Sequence, residues 1–444
     1  FSRAQRRFCR WRRRVYLLAP GVTAALLLVR PSVQAQDSLS LSAVHAALEA
    51  GTARVAAAQA AAQAAAERIA PARRPPDPEF QLGLMNRELP GFRLADPLGM
   101  NQIQLMQMIP IAGKLGLAAD VERARAAAAS AQADAVRWEE RSRAAMAFYE
   151  IYAADRSIQI LRESQRLLGD LGRTTETMYA VGAARQADVL RAQVELARMT
   201  EDLVRMEAMR TSAAARLNAV LNRSAGSPVG PTAEPGWGKE LPPTDSLVTL
   251  ALNRRPMLQA GGETLRAAEV SERLAGRELW PDPEVGLQYG WRGEEGGTMH
   301  MLSLMLGVRV PIWAGSRQKA MRREAKAMRD MAAADLLAME ADTRGRVGEL
   351  AASAARAQRL RQLYTATILP QAQTTAAAAL AAYRVGSVDF MTLLDAQMSV
   401  NRYRQAVVTA TAELGQAIAE LEMLTATPLL VEHPVPGAVP GGAQ

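Results

Sequence analysis

Two stretches of the chain change hydrophobic period abruptly. In MLSLMLGVRVPIWAGSRQKAMRREAKAMRDM, residues 301–331, the positions from Met301 to Val310 are mostly apolar, with no charge before Arg309, the pattern of a strand. Pro311 offers no N–H to a ladder, and Gly315 supplies a turn. Beyond Ser316 the chain becomes Ala, Met, Lys, Arg and Glu, all strong helix formers. The stretch NQIQLMQMIPIAGKLGLAADVER, residues 101–123, makes the same change, with Pro110 and Gly113 in the places of Pro311 and Gly315. Each predicts a strand that runs straight into a long helix.

The other elements fall around these two. Residues 38–70 read as helix, stopped by Pro71 and the Pro75-Pro76-Asp77-Pro78 cluster. Strands over about 79–86 and 101–109, joined by a Pro/Gly-bearing loop, lead into a helix from about Gly113 to Tyr179. At 1.5 Å per residue that helix is a rod of roughly 100 Å. Val181-Gly182-Ala183 turns the chain, and a second helix returns over 186–222. After a Pro/Gly-rich connector, 223–245, the plan repeats. A helix over 246–279 leads to strands over 284–292 and 301–310 around the loop GEEGGTMH. A long helix then runs to about Tyr383, broken or kinked at Pro370, Val385-Gly386-Ser387 turns it, and a last helix ends near Leu424. The tail, 428–444, reads as irregular.

The repetition is a duplication at an offset of 204 residues. The returning helix carries Leu196, Met199, Leu203, Met206, Ala213, Leu217 and Val220; the offset gives Val400, Tyr403, Val407, Ala410, Ala417, Leu421 and Leu424. Both sets follow the 3-4 spacing of a coiled-coil seam. The same offset maps Tyr179 and Gly182 onto Tyr383 and Gly386. The outgoing helix has its own seam through Val121, Ala124, Ala128, Ala131, Ala135, Trp138, Ala145, Tyr149 and Tyr152, and its alanines let helix axes approach closely. The predicted repeats are 36–222, with tip turn 181–185, and 246–427, with tip turn 385–389.

Composition narrows the function. A net charge of +8 and a pI near 10 suggest a nucleic-acid partner. Of the 53 Lys and Arg, however, eight lie in residues 1–35, where there is no acid, and the rest of the chain balances its 45 acids. No basic patch is left for phosphates. Residues 1–35 instead read as a secretory signal: an Arg-rich start, an apolar run from about Val15 to Val29, and Val33-Gln34-Ala35 as a cleavage site before Gln36. The alternative, an N-terminal membrane anchor, is disfavoured by Pro20 and Gly21 within the run. Cys9, the one cysteine, precedes that run, so the processed chain is expected to have no thiol, disulfide or Cys-held metal. Beyond residue 35 no uncharged apolar window reaches the ~18 residues of a membrane-spanning helix.

A membrane crossing would therefore have to be made of strands. Each repeat offers two, of about the length that crosses a bilayer when tilted. Phe80, Leu82 and Leu84 share one face, as do Ile103 and Leu105 opposite Gln102 and Gln104. Four strands cannot close a barrel, and an open sheet edge in lipid is too costly to leave unpaired. The strands either form a small soluble sheet or are pooled between several chains.

The order of helix, strand pair, long helix, tip turn and returning helix, given twice over about 38–427, resembles the TolC family of outer-membrane efflux channels. The residues that carry the resemblance are IPIAGKLGL at 109–117, VPIWAGSRQKA at 310–320, and YRVGSVDFMTLLDAQ at 383–397 with its counterpart YAVGAARQADVLRAQ at 179–193. The resemblance implies a mainly α fold with a small β part, in a homotrimer that pools strands into a twelve-stranded barrel in outer-membrane lipid above a long helical tunnel. It also implies docking by the tips, Val181, Gly182, Ala183, Val385, Gly386 and Ser387, to a periplasmic adaptor (a membrane fusion protein). The adaptor would belong to an inner-membrane pump, with the RND type as one candidate class. Acids just past the tips, Asp188, Asp389 and Asp395, are implied as a ring that narrows the tunnel mouth. Turn chemistry alone equally explains the glycines, and helix capping or plain solvation explains the aspartates. A soluble periplasmic coiled-coil adaptor or scaffold is the alternative reading of the Ala-rich helices.

Met299-His300-Met301 with Met305 has the donors of a soft-metal site. Methionine equally suits lipid-facing or barrel-packing positions, and neither a metal nor a cofactor is assigned. His45 and His433 are isolated, and no motif of nucleophilic, phosphate-binding or metalloprotease chemistry appears, so no catalytic residue is expected.

Overall fold

The long outgoing helix organises the chain. In the computed structural model, which describes residues 38–49, 51–86, 99–236, 241–294 and 297–429, the first repeat comprises α1 (Leu41–Glu49), α2 (Ala53–Ala66), α3 (Ile69–Ala72), β1 (Glu79–Met85), β2 (Met100–Met108), α4 (Lys114–Ala180) and α5 (Gln186–Val220). The second comprises α6 (Thr244–Arg254), α7 (Pro256–Arg277), β3 (Asp282–Glu294), β4 (Gly297–Arg309), α8 (Gln318–Leu363), α9 (Leu369–Arg384) and α10 (Phe390–Thr425). The expected signal and Cys9, the loop 87–98, residues 237–240 and 295–296, His433 and the tail from 430 lie outside the described residues.

The helices form a layer in the order α5, α4, α10, α8, with α2 and α7 packed on α4 and α6 and α7 on α8. Every residue of the three seams is buried or half-buried. Alanine dominates the buried face of α4, where Ala119, Ala124, Ala144 and Ala145 are almost wholly enclosed, and so permits the close helix approach expected of the sequence. Gly415 on α10 packs directly against the ring of Tyr149 on α4, with no room for a Cβ between them. Near the tips a separate cluster joins the two repeats through Leu168, Leu171, Met199, Tyr383, Phe390 and Leu393.

Several expected helices are subdivided, each for a local reason. Gly51, at φ +101°, and the Thr52 cap separate α1 from α2. Pro71 lies inside the short α3 rather than ending a helix. Extended backbone at Arg255 breaks the expected 246–279 helix, because the residue before a proline avoids the helical region and Pro256 then opens α7. The interruption at Pro370 is a π-helical turn, Tyr364–Ile368, which absorbs the missing N–H and the ring clash.

The four strands form one antiparallel sheet in chain order, β1-β2-β3-β4, so the two repeats join through β2 and β3. β3 and β4 have 13 residues each, longer than expected, because their pairing continues through much of GEEGGTMH to Glu294 opposite Gly297.

On α1, His45 is held neutral. Burial first, and Arg141 second, lower its pKa to about 4, and its Nε2 has no hydrogen-bond partner among the described residues. The unfolded chain protonates this ring near 6.5 while the folded one does not, so stability present above that pH is lost as the pH falls towards 4. Acid titration across that window is expected to cost the wild type about 3 kcal/mol more than a His45→Leu variant, read by thermal unfolding in detergent.

Candidate functional site

Cross-strand register sorts the sheet into two chemically distinct faces. Leu82, Ile103, Tyr289 and Leu302 form one row across the strands; Phe80, Leu105, Leu287 and Leu304 form the next. With Val285, Leu306 and Val308 they make an apolar face covered by nothing among the described residues: Leu82 is 72% exposed, Leu304 68% and Leu306 78%. An uncovered patch of that extent marks an interaction or membrane surface. The opposite face carries Gln81, Gln104, Gln288 and Ser303 in one row and Gly83, Gln102, Gly290 and Met301 in another. Gln288 Nε2 donates to Gln102 Oε1 at 2.5 Å across β2 and β3.

The edges are as informative as the faces. β1 and β4 each have one unpaired side among the described residues. In the helical layer α5 and α8 hold the same positions, and both expose large apolar side chains: Val194, Val204 and Met209 on α5, Met328, Met331 and Leu337 on α8.

At the strand-to-helix turns the two repeats diverge. Pro110 ends the pairing of β2, and Gly113, at φ +74°, is the left-handed residue that starts α4. Pro311 likewise follows β4, but Gly315 has no positive φ; the chain there makes a helical turn in which Ser316 and Arg317 N–H donate to Trp313 O. The first turn is locked by Lys114, whose buried Nζ donates to Asp282 Oδ2 at 2.7 Å and Trp280 O at 2.9 Å. Trp280, Ile312 and Trp313 stand exposed beside these turns.

The tips keep the duplication in detail. Gly182 and Gly386 have φ of +77° and +70°, and the next N–H, of Ala183 or Ser387, donates back to Met178 O or Ala382 O. Both closures satisfy the last carbonyls of a helix through a left-handed glycine. The valines before them are fully presented, Val181 at 75% and Val385 at 79% exposed.

The three aspartates are not equivalent. Asp389 caps α10, its Oδ1 accepting from Thr392 N–H at 2.9 Å and from the Thr392 hydroxyl at 2.6 Å; those bonds hold its carboxyl below the usual carboxylate range. Asp188 sits at the corresponding start of α5, where its Oδ2 accepts from Arg185 N–H at 3.4 Å. The duplication has moved the acid from one end of the capping pair to the other. Asp395, one turn into α10, is exposed, and its carboxylate has no hydrogen-bond or ionic partner among the described residues.

Comparison with known proteins agrees with this geometry. The family model described as outer membrane efflux protein matches residues 44–223 and again 247–427. The chain belongs to the outer membrane efflux protein family. Among curated proteins none matches the chain in sequence. Among solved structures it is similar to the outer membrane protein VceC from Vibrio cholerae, with a TM-score of 0.74 and 16% identity over 87% of this chain and 96% of that one. It is similar also to a membrane protein from Pseudomonas aeruginosa, with a TM-score of 0.75 and 18% identity over 87% and 93%. The MtrE outer membrane channel of Neisseria gonorrhoeae, in its open state, gives 0.73 and 14% over 88% and 89%. At these identities the likeness is one of fold: a long helical part joined to a small antiparallel sheet, as the sequence predicts.

In this efflux protein one grouping weighed from the sequence, and not assigned as a site there, comes apart. Met299, Met301 and Met305 lie on the polar face of the sheet, but His300 lies on the apolar one, stacked on Tyr289, with its Nδ1 2.7 Å from the Tyr289 hydroxyl. Neighbours in a strand point to opposite faces, so the three residues 299–301 cannot converge on one ion. Lys114 was hidden from sequence reasoning. It reads as an ordinary cation at a helix start, and its partner lies 168 residues away.

Proposed function

We propose that the chain is one subunit of a homotrimeric outer-membrane channel, the passive exit duct of a tripartite export system. The observation that carries this reading is the sheet, apolar and uncovered on one face, polar on the other, and open at both edges. An aqueous protein could not leave such a face exposed, which argues against the soluble adaptor or scaffold. Three copies that pair β4 with β1 of the next would close twelve strands, bury every edge and turn the leucine rows to lipid. Tilted by about 45°, the 13 residues of β3 and of β4 match the ~30 Å hydrocarbon layer. Trp280 and Trp313 then sit where aromatic anchors meet the lipid headgroups.

The same closure seats α5 of one copy against α8 of the next, so the rods extend the barrel into the periplasm as a tunnel. Its far end carries the paired valine–glycine tips, which fit a periplasmic adaptor bound to an inner-membrane pump. There Asp395 is the carboxylate free to form a threefold ring, since Asp188 and Asp389 already cap helices. Transport energy comes from the pump, and this subunit performs no chemistry.

Planar-bilayer recording tests the reading. The purified protein should give steady ionic conductance, and Asp395→Ala should weaken its block by divalent cations without loss of assembly. Absence of conductance from protein that extracts without detergent would contradict it.

A further inference from the structure

All seven methionines of the strands lie on the polar face. They are Met85 on β1, Met100, Met106 and Met108 on β2, and Met299, Met301 and Met305 on β4; the apolar face has none. Packing against lipid does not explain this, because the methionines lie on the face opposite the exposed Leu, Ile and Val rows. β3 supplies no methionine but places glycines between the methionines of its neighbours. A Cβ at Gly286 would meet Met106 Sδ at 2.7 Å and Met305 Cβ at 3.4 Å; one at Gly290 would meet Met100 Cε at 2.2 Å, and Gly290 pairs with Met301. The glycines thus leave a floor with no side chain of β3 standing between the methionines of β2 and those of β4. The Met106 sulfur also accepts a hydrogen bond from Gln104 Nε2 on the same face.

Neutral thioethers are soft donors and bind d10 monovalent cations in preference to hard ions. No group of three or more His, Cys, Asp or Glu suited to a divalent metal occurs among the described residues. We infer that this face binds soft monovalent cations, Cu(I) or Ag(I), through the pairs Met106 with Met305 and Met100 with Met301. The inference rests on the proposed channel in that this face then lines the lumen, where threefold repetition makes two rings of such pairs. Neutral donors bind weakly enough to release, which suits stepwise passage along the barrel.

Silver nitrate in chloride-free buffer is the probe. Equilibrium dialysis of the detergent-solubilised protein should show Ag(I) binding that weakens about tenfold or more in Met106→Leu/Met305→Leu. His300→Ala should bind as the wild type does, because that ring lies on the other face. Leucine keeps bulk and apolarity, and an unchanged potassium conductance verifies that the variant is folded. Ag(I) should also block this conductance reversibly in the wild type and not in the double variant. Conductance with no Ag(I) binding, or binding indifferent to the methionine substitutions, would overturn the inference and leave the channel standing. Binding without conductance would instead overturn the channel.

Discussion

Gly415→Leu is expected to abolish accumulation of folded protein in the membrane fraction, and Gly415→Ala to destabilise it by about 2 kcal/mol. A Cβ at this position would lie 2.2 Å from Cε1 and Cζ of Tyr149 and 2.6 Å from Cδ1. The ring has nowhere to go: Tyr149 is 1% exposed and packs edge-on against Phe148, with centroids 5.4 Å apart. Relief requires α10 to move away from α4, and that contact joins the two repeats along the helical layer. The effect is steric, so Tyr149→Leu should recover part of the loss in Gly415→Ala, a coupling that distant sites do not show. Gly169→Ala, where a Cβ meets nothing within 4 Å, should instead stabilise α4 by about 0.5–1 kcal/mol through helix propensity. Membrane-fraction yield reads Gly415→Leu, and thermal unfolding by circular dichroism in detergent reads Gly415→Ala, its Tyr149→Leu double variant and Gly169→Ala.

Lys114→Met is expected to cost about 3 kcal/mol, the order found when one member of a buried ion pair is removed. The Lys114 side chain is only 6% exposed and that of Asp282 only 16%. Methionine would leave Asp282 with no cation in a place with little water, and Trp280 O without this donor. Asp282 Oδ1 also accepts from Ile111 N–H at 3.3 Å, so the carboxylate ties the turn before α4 to the start of β3. Loss of the knot should loosen the junction between sheet and rods, lowering the temperature at which the sheet unfolds. Adding Asp282→Leu removes the stranded charge and should return most of the lost stability. A double variant as unstable as the sum of the singles would show that the two groups act independently.

Residue by residue, the sequence reached furthest where structure is local or periodic. The long helices were legible because their seams run in a fixed register, and the tips because a reversal between helices needs a left-handed residue: Gly182 and Gly386 supply it at the same offset as the seams. Pro370 predicted a disturbance, though not that a π-helical turn would take it up. The GEEGGTMH loop was read too long because its composition is loop-like, whereas partners on the facing strand extend β3 and β4 through it. Register was the missing quantity. Without it Met299, His300 and Met301 look like one cluster, and with it the histidine turns to the apolar face while methionines of two strands flank the glycines of β3 on the other. Lys114 was illegible for a related reason, since its burial is created by a residue of the other repeat.

The number of copies in the detergent-solubilised particle, counted by native mass spectrometry, tests the central idea most directly. The account predicts three chains, dissociating only as the sheets unfold. A stable single chain that stays dispersed in buffer without detergent, its leucine rows exposed to water, would contradict it.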